Sequence, residues 1–129
     1  MRAERGEAQQ AVRGRETEIE VAVVNSPGMV TLAGDTGPLE EVVGKLEEEG
    51  KFVRWLRIDY AFHTHQMEPI KDELLAALAH IEPNEAVVPF YSTVTGTQLG
   101  GEELDGNYWW RNVREAVLFA PAIKRLAQE

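Results

Sequence analysis

The run from Ile19 to Gly50 constrains the fold of this chain more than any other segment. Ile19-Glu20-Val21-Ala22-Val23-Val24 is apolar and rich in β-branched residues, and Asn25-Ser26-Pro27-Gly28 is a dense turn signal. Met29-Val30-Thr31-Leu32-Ala33 then resumes strand character, so the two runs should pair as a hairpin. A helix must follow. Asp35 or Thr36 can cap it, Pro38 suits its first turn, and Leu39, Val42, Val43 and Leu46 recur at helical spacing. Glu47, Glu48 and Glu49 cover its exposed side and Gly50 supplies a stop.

Phe52 to Ile58 returns to strand character. Ahead of the hairpin, Met1 to Glu18 is polar. Its Ala3, Ala8, Ala11 and Val12 either seat one face of a short helix from Glu4 to Arg13, ended by Gly14, or belong to a frayed charged terminus. With a short strand at Met1 to Ala3 in front, the order becomes βαββαβ, that of a ferredoxin-like unit over residues 1–58. Such a unit is small and would have a thin core on its own.

Residues 59–129 differ in style. Pro69 opens a helix through His80, with Ile70, Leu74, Leu75 and Leu78 on one face, and Pro83 lies beyond its end. Ala86 to Tyr91 reads as a short strand that Pro89 confines to an edge. Asp105 can cap a helix carrying Tyr108, Trp109 and Trp110, and Pro121 can open a last helix with Ile123 and Leu126. That helix meets no stop signal before Glu129, as expected of a cut chain. The fold class implied is α+β.

Composition narrows the function. Thirteen basic and 22 acidic side chains among 129 residues give a net charge of −9, the wrong sign for a nucleic-acid binder. There is no Cys, which excludes disulfides, thiolate metal sites and a Cys nucleophile. No apolar run approaches the roughly 18–20 residues that span a bilayer, and Met1 to Gln10 has no signal-peptide core. The expectation is a soluble, cytoplasmic protein without a membrane partner.

Chemistry concentrates in Asp59-Tyr60-Ala61-Phe62-His63-Thr64-His65-Gln66-Met67, between a strand and a helix, where loops present functional side chains. A His there can act as a general base, since an imidazole titrates near neutral pH. A metal site would need His63 and His65 plus His80, Asp59 or Glu68. Two His at i, i+2 without a third ligand at fixed spacing is a weak metal signal, so no metal is expected. On spacing alone both His read first as plain polar loop residues, and the site is a candidate only. Tyr108-Trp109-Trp110-Arg111-Asn112-Val113-Arg114 mixes aromatics with Arg as single-strand platforms do. The acidic charge disfavours that reading, and rings of this size are better spent on packing.

Taken together, the words resemble a family. Val21-Ala22-Val23-Val24-Asn25-Ser26-Pro27, Leu32-Ala33-Gly34-Asp35, Tyr60-Ala61-Phe62-His63-Thr64-His65-Gln66-Met67, Pro89-Phe90-Tyr91-Ser92-Thr93-Val94-Thr95-Gly96 and Tyr108-Trp109-Trp110-Arg111-Asn112-Val113-Arg114 occur in this order in acyltransferase domains of modular type I polyketide synthases. The resemblance spans residues 19 to 126. It implies a ferredoxin-like small subdomain, residues 1–58, followed by part of an α/β-hydrolase-like body, residues 59–129, with the active site in the cleft between them. It also implies transfer of a malonyl-type group from coenzyme A to the phosphopantetheine thiol of an acyl carrier protein through an acyl-serine. No cofactor is implied beyond these thioester and phosphopantetheine groups. The implied partners are malonyl-CoA or a related acyl-CoA, the carrier protein and the remainder of the synthase chain, and the implied setting is antibiotic biosynthesis.

By the same resemblance His63 is the general base, oriented by a main-chain carbonyl assigned to Asn112. Tyr60, Ala61 and Phe62 are the selectivity residues. Malonyl-selective members tend to carry His-Ala-Phe-His and methylmalonyl-selective ones Tyr-Ala-Ser-His, so this chain is a hybrid. Phe62 fills the volume an extra methyl would need, which points to malonyl, by the 1–3 kcal/mol or so that one methyl is worth. The family's Gly-His-Ser-x-Gly nucleophile elbow does not occur in these 129 residues. Neither do the Arg that follows it, the Gln-rich oxyanion loop or the Gly-Pro-His-Pro region. Ser26 and Ser92 have no elbow context, and Arg111 and Arg114 are not substitutes for the missing Arg. The expectation is a C-terminal-half fragment, inactive alone. The alternative is a non-catalytic ferredoxin-like module that docks a carrier protein or a partner chain, with Lys51, Arg54 and Arg57 as its basic patch.

Overall fold

A computed structural model describes residues 5–129. The order is α1 (Arg5–Ala11), β1 (Ile19–Ser26), β2 (Met29–Gly34), α2 (Thr36–Glu48), a 3-10 segment (His65–Ile70), α3 (Lys71–Ala77), β3 (Phe90–Tyr91), β4 (Gln98–Leu99), a second 3-10 turn (Gly101–Glu103), α4 (Gly106–Arg114) and α5 (Phe119–Ala127). The class is mixed α+β.

β1 and β2 form the antiparallel hairpin read from the sequence, in the register Ile19↔Gly34, Val21↔Leu32 and Val24↔Val30. Gly34 is required at the open end of the hairpin, opposite Ile19. Its φ is +156°, and a Cβ there would stand 2.0 Å from the Glu18 carbonyl oxygen. One face of the hairpin is covered by α1 and α2. Val12, Ile19, Val42 and Leu46 form the buried cluster, with Leu32, Leu39 and Val53 packed around it. The apolar spacing of α2 thus does what its sequence demands. Asp35 sits at the N-cap of α2 without a side-chain cap bond. Its Oδ1 instead accepts from Gln66 Nε2 at 2.7 Å.

The described residues of the small unit follow the order α-β-β-α. Phe52 to Ile58 does not form a strand, although its residue types favour one. A strand exists only by pairing, and the expected partner at Met1 to Ala3 lies outside the described residues. Phe52, Trp55, Leu56 and Ile58 are all more than half exposed.

In the second half the helix expected from Pro69 to His80 is divided. Pro69 lies inside a 3-10 turn, and the α-helix proper runs only from Lys71 to Ala77. The strand expected over Ala86 to Tyr91 shrinks to Phe90–Tyr91, paired with Gln98–Leu99, and Val87 is 98% exposed. Asp105 caps α4 as read, accepting from the Tyr108 N–H at 2.9 Å. Tyr108 and Trp110 are buried and Trp109 is partly exposed. Packing, not a stacking platform, accounts for these rings.

The segment joining α4 to α5 ties the halves together. The Val24 N–H donates to the Val117 carbonyl and the Val117 N–H to the Ala22 carbonyl, each at 2.8 Å. One residue on, the Leu118 N–H donates to the Thr93 carbonyl at 2.6 Å. Val117 is thus stitched to the outer edge of β1, and Leu118 to the loop after β3.

Candidate functional site

Thr64 organises the loop that carries the candidate base. Fully buried, it donates through Oγ1 to the Ala61 carbonyl at 2.6 Å and accepts from the Gln66 N–H at 3.2 Å. It thereby caps the 3-10 segment. The tight turn leaves His63 at φ +64°, the only positive φ at a non-glycine among the described residues. A left-handed conformation costs a side chain with a Cβ about 1–2 kcal/mol, and it persists only where the surroundings hold it.

What holds it is the end of α4. The last carbonyls of a helix have no partner within it. The Val113 carbonyl accepts the His63 main-chain N–H at 3.0 Å, and the Glu115 carbonyl lies 3.0 Å from His63 Nδ1. A carbonyl only accepts, so Nδ1 carries the proton and Nε2 is left as a lone-pair acceptor. Nε2 has no protein partner among the described residues. The ring is partly exposed and lines a groove of about 570 Å3. One wall comes from Arg5, Gln9 and Val12 of the N-terminal helix region and Glu20 of β1. The other comes from Val94, Arg114, Glu115 and Leu118.

The carbonyl assigned to Asn112 belongs to Glu115, three residues further on. At Glu115 the backbone leaves the helix with ψ 160°, and this turns its carbonyl onto the ring. Tyr60 and Phe62 stand before His63 with ring centroids 5.7 Å apart and planes at 47°. Both are exposed, at 68% and 47%, and Ala61 between them is partly buried.

Beside the ring runs a charged network that the sequence did not announce. Glu20 Oε2 accepts the His65 main-chain N–H at 2.5 Å and lies 3.2 Å from His65 Nδ1. Glu20 Oε1 accepts from Arg114 Nη1 at 3.0 Å, and Arg114 Nε donates to Glu68 at 2.8 Å. Burial by itself would lower the affinity of Arg114 for its proton; the bonds to Glu68 and Glu20 outweigh it and raise that affinity. Arg111 is tied to the Glu115 carboxylate at 2.6 Å. Both guanidiniums are therefore engaged by carboxylates of this chain.

Neither serine offers an exposed nucleophile held by a base. Ser92 is fully buried, and its Oγ is bonded to Tyr108 Oη at 2.8 Å and accepts the Val94 N–H. Ser26 is the last residue of β1, at the turn into β2. Among the described residues no group of three or more His, Cys, Asp or Glu is placed to hold a metal ion. No helix there is long and apolar enough to cross a membrane. Lys51 of the suggested basic patch lies 3.5 Å from Glu7, while Arg54 and Arg57 are exposed.

Comparison with known proteins places this geometry among relatives. The family model for the acyl transferase domain matches residues 1–129. The chain is 40% identical over 121 residues to the spectinabilin polyketide synthase system protein NorA' of Streptomyces orinoci, covering 94% of this chain and 3% of that protein. It is 42% identical over 127 residues to the erythronolide synthase EryA2 of Saccharopolyspora erythraea, covering 95% of this chain and 4% of that protein. The acyltransferase domain from module 8 of the salinomycin polyketide synthase superposes with a TM-score of 0.94 at 36% identity, over 98% of this chain and 30% of that one. A malonyl CoA-acyl carrier protein transacylase from Clostridium perfringens shares the fold, with a TM-score of 0.87 at 21% identity. The chain therefore spans under a third of the salinomycin domain and a few per cent of the synthases.

Proposed function

This chain belongs to the acyl transferase domain family as found in polyketide synthases, and we propose that it supplies the general base and the extender-selectivity loop of such a domain. The observation that carries the proposal is the imidazole of His63. One nitrogen is spent on the Glu115 carbonyl, the other is an acceptor without a partner among the described residues, and the ring lines the groove between the hairpin side and the α4–α5 side.

In the proposed reaction His63 Nε2 takes the proton of a serine hydroxyl as its oxygen attacks the thioester carbon of malonyl-CoA. The tetrahedral intermediate collapses, the C–S bond breaks, and the imidazolium returns the proton to the departing coenzyme A thiolate. The second half runs in reverse, with the phosphopantetheine thiol of the carrier protein as nucleophile. A carbonyl partner suits this duty. It fixes the tautomer as a carboxylate would, without adding a charge beside the ring. The serine must come from an elbow of the kind these 129 residues do not contain, so the polypeptide alone should not transfer an acyl group. Residues 1–58 and 59–129 are proposed to form the two walls of the cleft. Tyr60, Ala61 and Phe62 border the extender, and the Phe62 ring favours malonyl over methylmalonyl.

A chimera tests this. The matching part of the salinomycin module 8 acyltransferase domain is replaced by this sequence, and malonyl and methylmalonyl transfer to a carrier protein are measured in competition. The expected result is transfer that His63→Ala abolishes, with Phe62→Ser shifting the preference toward methylmalonyl about tenfold or more. Transfer that survives His63→Ala refutes the assignment. Binding of a carrier protein by the chain without chemistry in the chimera would instead favour the docking-module alternative.

A further inference from the structure

The proposed base is held by backbone, and backbone must itself be held. The two carbonyls that fix His63 belong to Val113 and Glu115, and the residue between them is Arg114. Its side chain is about three-quarters buried and divides between two carboxylates, Nη1 on Glu20 of β1 and Nε on Glu68 of the 3-10 segment. Glu20 in turn accepts the main-chain N–H of His65, two residues beyond the base. The result is a closed circuit. The loop carrying His63 bonds to the end of α4, the end of α4 bonds through Arg114 to β1, and β1 bonds back to the loop.

We infer that Arg114, through Glu20 and Glu68, is a positioning residue that keeps the Val113–Glu115 carbonyls in register with the His63 ring and so selects its Nδ1–H tautomer. Two observations favour this over a general structural role. The ion pairs join segments 94 and 46 residues apart in sequence, both of which border the base. And the left-handed φ of His63 requires an external restraint, which the Val113 and Glu115 carbonyls on either side of Arg114 supply. The guanidinium is suited to the task because its fork reaches two acceptors at once from a fixed plane, which an ammonium cannot do.

The inference rests on His63 being the base, but its test does not. Long-range 1H–15N correlation spectra of the 129-residue chain report the tautomer of each imidazole directly. The native chain should show His63 as Nδ1–H. Arg114→Gln should move it toward the mixed tautomers of a free imidazole, Arg114→Lys should do so partly, and Glu68→Gln should move it in the same direction by less. His80, outside the circuit, serves as internal control and should not change. If Arg114→Gln unfolds the chain, Glu68→Gln, an exposed change, decides the matter. An unaltered His63 tautomer in the folded variants overturns the inference, whatever the fate of the catalytic reading. In the chimera the same Arg114→Gln change should lower kcat about tenfold to a hundredfold with KM for the acyl-CoA unchanged; a rise in KM alone would also overturn it. Failure of the catalytic reading shows separately, as transfer that survives His63→Ala.

Discussion

Replacing Thr64 by Val removes one hydroxyl and almost no volume, and it tests how the loop presents the proposed base. The hydroxyl makes two bonds, one to the Ala61 carbonyl and one from the Gln66 N–H. A helix N-cap is worth about 1 kcal/mol, and a hydroxyl–carbonyl bond at a buried position about 1 kcal/mol more. The expected loss is therefore about 2 kcal/mol, a large part of the roughly 5–15 kcal/mol that keeps a domain folded. For a chain of this length that corresponds to a fall in Tm of about 6–12 °C. Urea denaturation should show a lower midpoint with an unchanged slope, since the surface exposed on unfolding is the same. Thr64→Ser keeps the hydroxyl and should recover more than half of the loss. The loop should also relax, because nothing else pins the left-handed backbone at His63 from within the turn. A Thr64→Val protein within about 0.5 kcal/mol of the parent, or a Thr64→Ser protein equally damaged, would refute the reasoning.

Gly34→Ala should cost about 2 kcal/mol or more, because its Cβ meets the Glu18 carbonyl at 2.0 Å and the hairpin must open to admit it; circular-dichroism melts measure the loss. The Glu16 carboxylate is held below the ordinary carboxylate value, chiefly by its own main-chain N–H and then by that of Gly14. A carboxyl whose pKa is depressed on folding stabilises the fold above its unfolded value, and that contribution disappears as pH falls through the folded value. Melts of Glu16→Gln should therefore depend less on pH below about 4.5 than those of the parent. Phe52, Trp55, Leu56 and Ile58 are all more than half exposed along one segment and Val87 is 98% exposed, and apolar surface of that kind favours association. Sedimentation should show concentration-dependent self-association that a Trp55→Glu, Val87→Glu double variant reduces.

The sequence disclosed the hairpin, α2 and α4 because each carries its own punctuation: Asn25-Ser26-Pro27-Gly28, the Leu39–Leu46 stripe and Asp105. It singled out His63 as a candidate because Tyr60-Ala61-Phe62-His63 is a word as well as a loop. It misplaced the orienting carbonyl, since every residue has one. Which carbonyl faces the ring depends on where α4 ends, and the side chain of Asn112 says nothing about that. Phe52 to Ile58 shows the other limit. Its β-branched and aromatic residues report a propensity, whereas a strand also needs a neighbour to pair with. The Glu20–Arg114–Glu68 circuit was illegible because its members look like ordinary surface charges until the fold brings residues 94 apart within 3.0 Å. Thr64 lay inside a recognised word, and a hydroxyl just before a helical segment was the available signal that it is a cap.

Single-turnover acylation of the chimera, followed by the mass gained at its serine, tests the central claim most directly. With His63 in place the serine should be loaded from malonyl-CoA at pH 7, and with His63→Ala loading should slow by about 10²–10⁴-fold. Equal loading rates in the two proteins would contradict the assignment of His63 as the base.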